Sequence, residues 1–88
     1  MKVLIADDDK VLRMLMQRQL EGWGFDVITA QDGEEAFEIL TTESEPPRML
    51  VLDWEMPNLD GVSLCQKIRT LESNDPPYIV LVTAHTDQ

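Results

Sequence analysis

The sequence predicts an α/β domain, a doubly wound parallel sheet with helices on both faces. Four short runs, residues 3–6, 25–30, 49–53 and 78–83, are apolar and rich in strand formers, as buried parallel strands are. Between them lie stretches whose apolar residues return at helical spacing. The connections are short, and strands that alternate with helices across short loops make parallel sheets. At 88 residues the chain suffices for one small domain and not for two.

The first strand, residues 3–6, ends at Asp7-Asp8-Asp9. From Lys10 to about Glu21 the period changes: Leu12, Leu15, Met16 and Leu20 share one helix face, and Arg13, Gln17, Arg18 and Glu21 the other. Gly22 and Gly24 end that helix. Residues 25–30 form the second strand. Asp32, followed three positions later by Glu35, starts the second helix as its N-cap, with Ala36, Phe37 and Leu40 as its apolar stripe. Residues 41–48 are polar, contain Pro46-Pro47 and read as a loop. After the third strand, residues 49–53, Pro57 and Gly61 mark a second loop, and Asp60 or Gly61 opens a helix carrying Leu64, Cys65, Ile68 and Leu71 on one face. Residues 73–77 form a further loop before the fourth strand. Crossovers are right-handed, so in the strand order 2-1-3-4 the first helix lies on one face of the sheet and the other two on the opposite face.

A formal charge of −10 sets the chain against DNA, RNA and anionic membranes as direct partners. Cys65 is the sole cysteine, which rules out an intrachain disulfide and suits core packing. The N-terminal apolar run is too short for a signal peptide, and no run approaches the roughly 20 residues of a membrane-spanning helix. A soluble, cytoplasmic protein is expected.

The chemistry gathers at Asp53, where a buried strand meets a loop. Parallel strands share the direction of their C-terminal ends, which here carry Asp7 and Asp8, Asp53, and Thr83. If the first and third strands are neighbours, the chain reverses direction between them, and open α/β sheets bind ligands at such a reversal. Clustered carboxylates repel one another, and a hard divalent cation such as Mg²⁺ offsets that cost. A carboxylate beside such an ion can accept a phosphoryl group. Acidic residues after strands also serve as turn and cap residues. Asp9 reads as an N-cap or surface residue, and Asp60 as the cap of the third helix. His85 reads as a loop residue and Trp23 as packing.

Taken together, Val3-Leu4-Ile5-Ala6-Asp7-Asp8-Asp9, Asp32-Gly33-Glu34-Glu35-Ala36, Leu50-Val51-Leu52-Asp53-Trp54-Glu55-Met56-Pro57-Asn58-Leu59-Asp60-Gly61 and Val82-Thr83-Ala84 resemble the receiver domain of response regulators, the phosphoacceptor module of two-component signalling. The resemblance spans nearly the whole chain and implies a flavodoxin-like fold. It implies that Asp53 is phosphorylated from a phosphohistidine of a sensor histidine kinase or a phosphotransfer protein. Asp8, Asp53 and the backbone carbonyl of Glu55 would ligate Mg²⁺ directly, and Asp7 through water. The Thr83 hydroxyl would contact a phosphoryl oxygen, with the small Ala84 leaving access, while Pro57 and Gly61 shape the loop.

Family members continue into a fourth helix, a fifth strand that begins with a Lys paired to the phosphoryl group, and a fifth helix. Residues 1–88 hold no counterpart of these. The expectation is therefore an incomplete, N-terminal part of a receiver domain, with an output domain in the parent chain and impaired self-dephosphorylation. An apolar fourth strand left open at Ile79, Val80, Leu81 and Val82 is expected to drive self-association. Two other functions stand beside phosphoacceptance: an interaction module that keeps the fold without phosphorylation, and a Mg²⁺-dependent phosphatase with an Asp nucleophile.

Overall fold

The computed structural model describes residues 1–71 and 75–82. In chain order the elements are β1 (Lys2–Ala6), α1 (Lys10–Gly22), β2 (Asp26–Ala30), α2 (Gly33–Thr42), β3 (Met49–Asp53), α3 (Gly61–Arg69) and β4 (Tyr78–Val82). The strands form one sheet in the order β2-β1-β3-β4, with every pairing parallel. Ala6 lies level with Ala30 on one side and Leu52 on the other, and Asp53 lies level with Val82. The strand order and the alternation of helices agree with the fold expected from sequence. Thr83, Ala84 and His85, together with Ser73 and Asn74 of the last loop, lie outside the described residues.

Side chains alternate across a strand, so each strand divides its apolar residues between two faces. Leu4, Ala6, Ala30, Leu50 and Leu52 point to the face covered by Ala36 of α2 and by Leu64 and Ile68 of α3. Met56 joins them from the loop after β3. Val3 and Ile5, fully buried, alternate with these on β1, and α1 packs over β1 and β2. Among the described residues every helix starts at the end of the sheet where the strands finish, because each crossover runs back antiparallel to its strands.

An aspartate caps each start. Asp9 accepts from the N–H groups of Val11 and Leu12, Asp32 from that of Glu35, and Asp60 from that of Ser63. The Glu35 carboxylate reaches back to the Gln31 N–H at 3.3 Å, one residue before the cap. At the far end of α1, Gly24 (φ 92°) closes a Schellman turn, in which the Phe25 N–H donates to the Leu20 carbonyl and the Gly24 N–H to that of Glu21.

Several details depart from the sequence expectation, among them Trp23, which was expected to pack and is 66% exposed. Thr41 and Thr42 belong to α2 and not to the loop, because their hydroxyls donate to the carbonyls of Phe37 and Glu38 one turn back. Of the apolar stripe expected on α1, Leu12 and Leu15 are exposed while Met16 and Leu20 are half-buried. A single helix spans β1 and β2 and reaches little of the sheet beyond them. Arg13, expected on the solvent face, is half-buried and donates to the Asp7 carbonyl at 2.7 Å. Cys65 is half-buried beside the core formed by Leu64 and Ile68, and Leu71 lies past the end of α3.

Candidate functional site

β1 and β3 are neighbours in register, and this brings Asp7, Asp8 and Asp53 to one rim. One carboxylate oxygen from each lies within 4.8 Å of the others. Asp7 is buried at 5% exposure, Asp53 is half-buried and Asp8 is exposed. Asp7 Oδ1 accepts the Asp9 N–H at 2.8 Å, and this bond fixes its side chain. Among the described residues none of the three carboxylates is in an ion pair.

Crowding has an electrostatic signature. The Asp53 carboxyl is raised above its ordinary range, first by desolvation and then by the charge of Asp7, with a smaller push from Asp8. The backbone amides of Glu55 and Trp54 act in the opposite direction. An all-oxygen donor set at this spacing has the chemistry of a site for a hard divalent cation.

The loop after β3 forms the outer wall. It is closed at its base by two backbone bonds, from Trp54 N–H to the Val82 carbonyl at 2.9 Å and from Gly61 N–H to the Trp54 carbonyl at 3.0 Å. A side chain at Gly61 would overlap the Asp53 carbonyl oxygen, so the start of α3 packs directly on the strand that carries the acid. Trp54 is 49% exposed and Glu55 is exposed, while Met56 turns into the core. Thr83 follows Val82 in sequence and lies outside the described residues.

Sequence reasoning gave no role to Asn58. It stands at φ 69°, the sole non-glycine residue with positive φ among the described residues, and its side-chain amide donates to Asp32 Oδ2 at 2.9 Å. The sequence signal was an Asn between Pro57 and Leu59 in a turn-rich stretch, since Asn tolerates the left-handed region better than other residues with a Cβ. A groove of about 630 Å³ opens at the opposite end of the sheet, among Leu40, Pro47, Arg48, Ile68, Tyr78 and Ile79. It shares no residue with the acidic rim.

The family model for the response regulator receiver domain matches residues 3–88. The alkaline phosphatase synthesis transcriptional regulatory protein PhoP of Bacillus subtilis is 40% identical over 87 residues, covering 99% of this chain and 35% of that protein. Among solved structures, the receiver domain of Francisella response regulator 1452 superposes with a TM-score of 0.83 at 37% identity, covering 94% of this chain and 65% of that one. The response regulator TrrA of Thermotoga maritima, in complex with Mg²⁺-BeF, superposes with a TM-score of 0.82 at 30% identity, covering 97% of this chain and 70% of that one. The chain spans about a third of the length of the curated relatives it matches. With a parallel sheet that sets an aspartate of its third strand beside the acidic end of its first, and a family match along nearly its whole length, the chain belongs to the response regulator receiver domains of two-component systems.

Proposed function

We propose that residues 1–88 act as the phosphoacceptor portion of a response regulator, with Asp53 taking a phosphoryl group from a phosphohistidine in a Mg²⁺-dependent step. The observation that carries this reading is the convergence of Asp7, Asp8 and Asp53 within 4.8 Å, with no ion pair among the described residues to neutralise them. The similarity to TrrA, whose structure is a complex with Mg²⁺-BeF, supports the same chemistry here.

Asp8, Asp53 and the backbone carbonyl of Glu55 would hold the ion, with Asp7 acting through water. When bound, Mg²⁺ supplies positive charge that offsets the repulsion between the rim and an incoming phosphoryl group. In the transfer, an Asp53 carboxylate oxygen forms the new P–O bond. The P–N bond to the donor imidazole breaks, and its electron pair returns to the ring nitrogen. The Thr83 hydroxyl would donate to a phosphoryl oxygen; it follows Val82, the residue paired with Asp53.

The donor in this reading is a sensor histidine kinase or a phosphotransfer protein in the cytoplasm. The relatives named as transcriptional regulators support an output domain elsewhere in the parent chain, because a net charge of −10 opposes direct contact with DNA by this part. Self-association is a second proposal for the 88-residue chain taken alone, supported by the exposure of Val80, Leu81 and Val82 on an edge strand. A compact monomer by light scattering at micromolar concentration would remove it.

Incubation with a small acyl phosphate, with and without Mg²⁺, tests the main reading by intact mass. One phosphoryl group per chain, dependent on Mg²⁺ and absent from Asp53→Asn, is expected. Steady release of phosphate would indicate a phosphatase instead. No incorporation into a folded chain would leave a binding module.

A further inference from the structure

The geometry points to a latch between Asn58 and Asp32 that holds the loop after β3 in its metal-ready shape, which makes both of them positioning residues for the Asp53 site. The inference rests on the reading of Asp53 given above.

The loop leaves the sheet at Asp53 and returns at Gly61, and its tip is a tight turn. The Leu59 N–H donates to the Pro57 carbonyl at 2.7 Å, across Asn58 at φ 69°. An i to i+2 bond around a central residue of positive φ is a γ-turn of the rarer, strained hand. Such a turn persists only where its surroundings over-determine it. Two contacts do so. The Asn58 amide donates to Asp32 Oδ2 at 2.9 Å, while Asp32 Oδ1 accepts the Glu35 N–H at 2.8 Å, so one carboxylate both caps α2 and grips the loop. Beside it the Leu59 carbonyl lies against Gly33, where any Cβ would overlap it.

The loop is thus anchored at its base through Trp54 and Gly61, in the core through Met56, and at its tip through Asn58. Glu55, whose carbonyl is the proposed third metal ligand, lies between the base anchor at Trp54 and the core anchor at Met56, three residues before the tip at Asn58. Releasing the tip frees the turn to relax and shifts that carbonyl. The latch joins side chains at the surface, so its loss bears on the shape of the site more than on the core. The Asp32 carboxyl is held below its ordinary range by the Glu35 amide and then by Asn58, which agrees with a charged acceptor serving both groups.

The test is a Mg²⁺ titration read by Trp54 fluorescence on the intact chain, with thermal melts in metal-free buffer alongside. Asn58→Ala removes the donor. Asp32→Ser keeps a cap for Glu35 while being too short to reach Asn58. Each is expected to weaken Mg²⁺ binding about tenfold, the scale of lost outer-shell support at metal sites. The double variant is expected to be no weaker than either single one, with Asp32→Ser melting close to the parent. Affinities of both single variants equal to the parent's, while Asp53→Asn abolishes the response, would overturn the latch and leave the Asp53 reading standing. Additive losses in the double variant would overturn it too. A parent chain that does not respond to Mg²⁺ would overturn the Asp53 reading and the latch with it.

Discussion

Asp53 carries a charge that its neighbours oppose, and that opposition is measurable. Its carboxyl is raised by desolvation first and by Asp7 next, so the folded chain binds the proton more tightly than the unfolded one. The sign follows from linkage: Asp53's contribution to stability is full below pH 3.8 and is lost as pH rises through its raised value. At neutral pH without metal, Asp53→Asn is therefore expected to melt above the parent. Mg²⁺ reverses the order. Binding at ten times Kd stabilises the parent by about 1.4 kcal/mol and leaves Asp53→Asn unchanged, as melts with and without the ion would record. The identity of Asp53 was legible because a wholly apolar strand ends in a carboxylate and a turn. The role of Asn58 was not, since its partner lies 26 residues away and only the folded chain brings them together.

At the scale of elements, α1, α2 and α3 each begin on an aspartate, and α2 shows most plainly what a cap does. Asp32→Ala is expected to cost about 1 kcal/mol, the usual loss for a helix cap, in a urea unfolding series. The Asp32 carboxyl is lowered, so its contribution is present above pH 3.8 and disappears as pH falls through the lowered value. Asp32→Asn keeps an acceptor without the charge, and its stability is expected to fall less steeply on acidification than the parent's. Gly33→Ala is expected to be worse than helix propensity alone allows, because its methyl group would overlap the Leu59 carbonyl. Strand positions were readable from composition to within a residue or two. The end of α2 was not, because Thr41 and Thr42 look like loop residues until their hydroxyls are seen bonded back to the helix.

For the whole molecule, alternation of strands and helices was enough to foresee the parallel sheet, and apolar runs were enough to foresee its core. Leu52, fully buried between the sheet and the α2–α3 layer, tests that core: Leu52→Ala is expected to cost about 2–5 kcal/mol in chemical unfolding. What composition could not convey was how unequally the two faces are covered. Leu12 and Leu15 satisfy a helical pattern and yet stay exposed, because periodicity states which side of a helix is apolar and not how much lies opposite. Finally, the three helices among the described residues start at the rim that carries the aspartates. Each start presents the equivalent of about half a positive charge. The scaffold thus sets fixed partial positive charge against a ring of carboxylates, so part of the crowding that the rim imposes is offset by the backbone alone, and a bound cation completes what the helix ends begin.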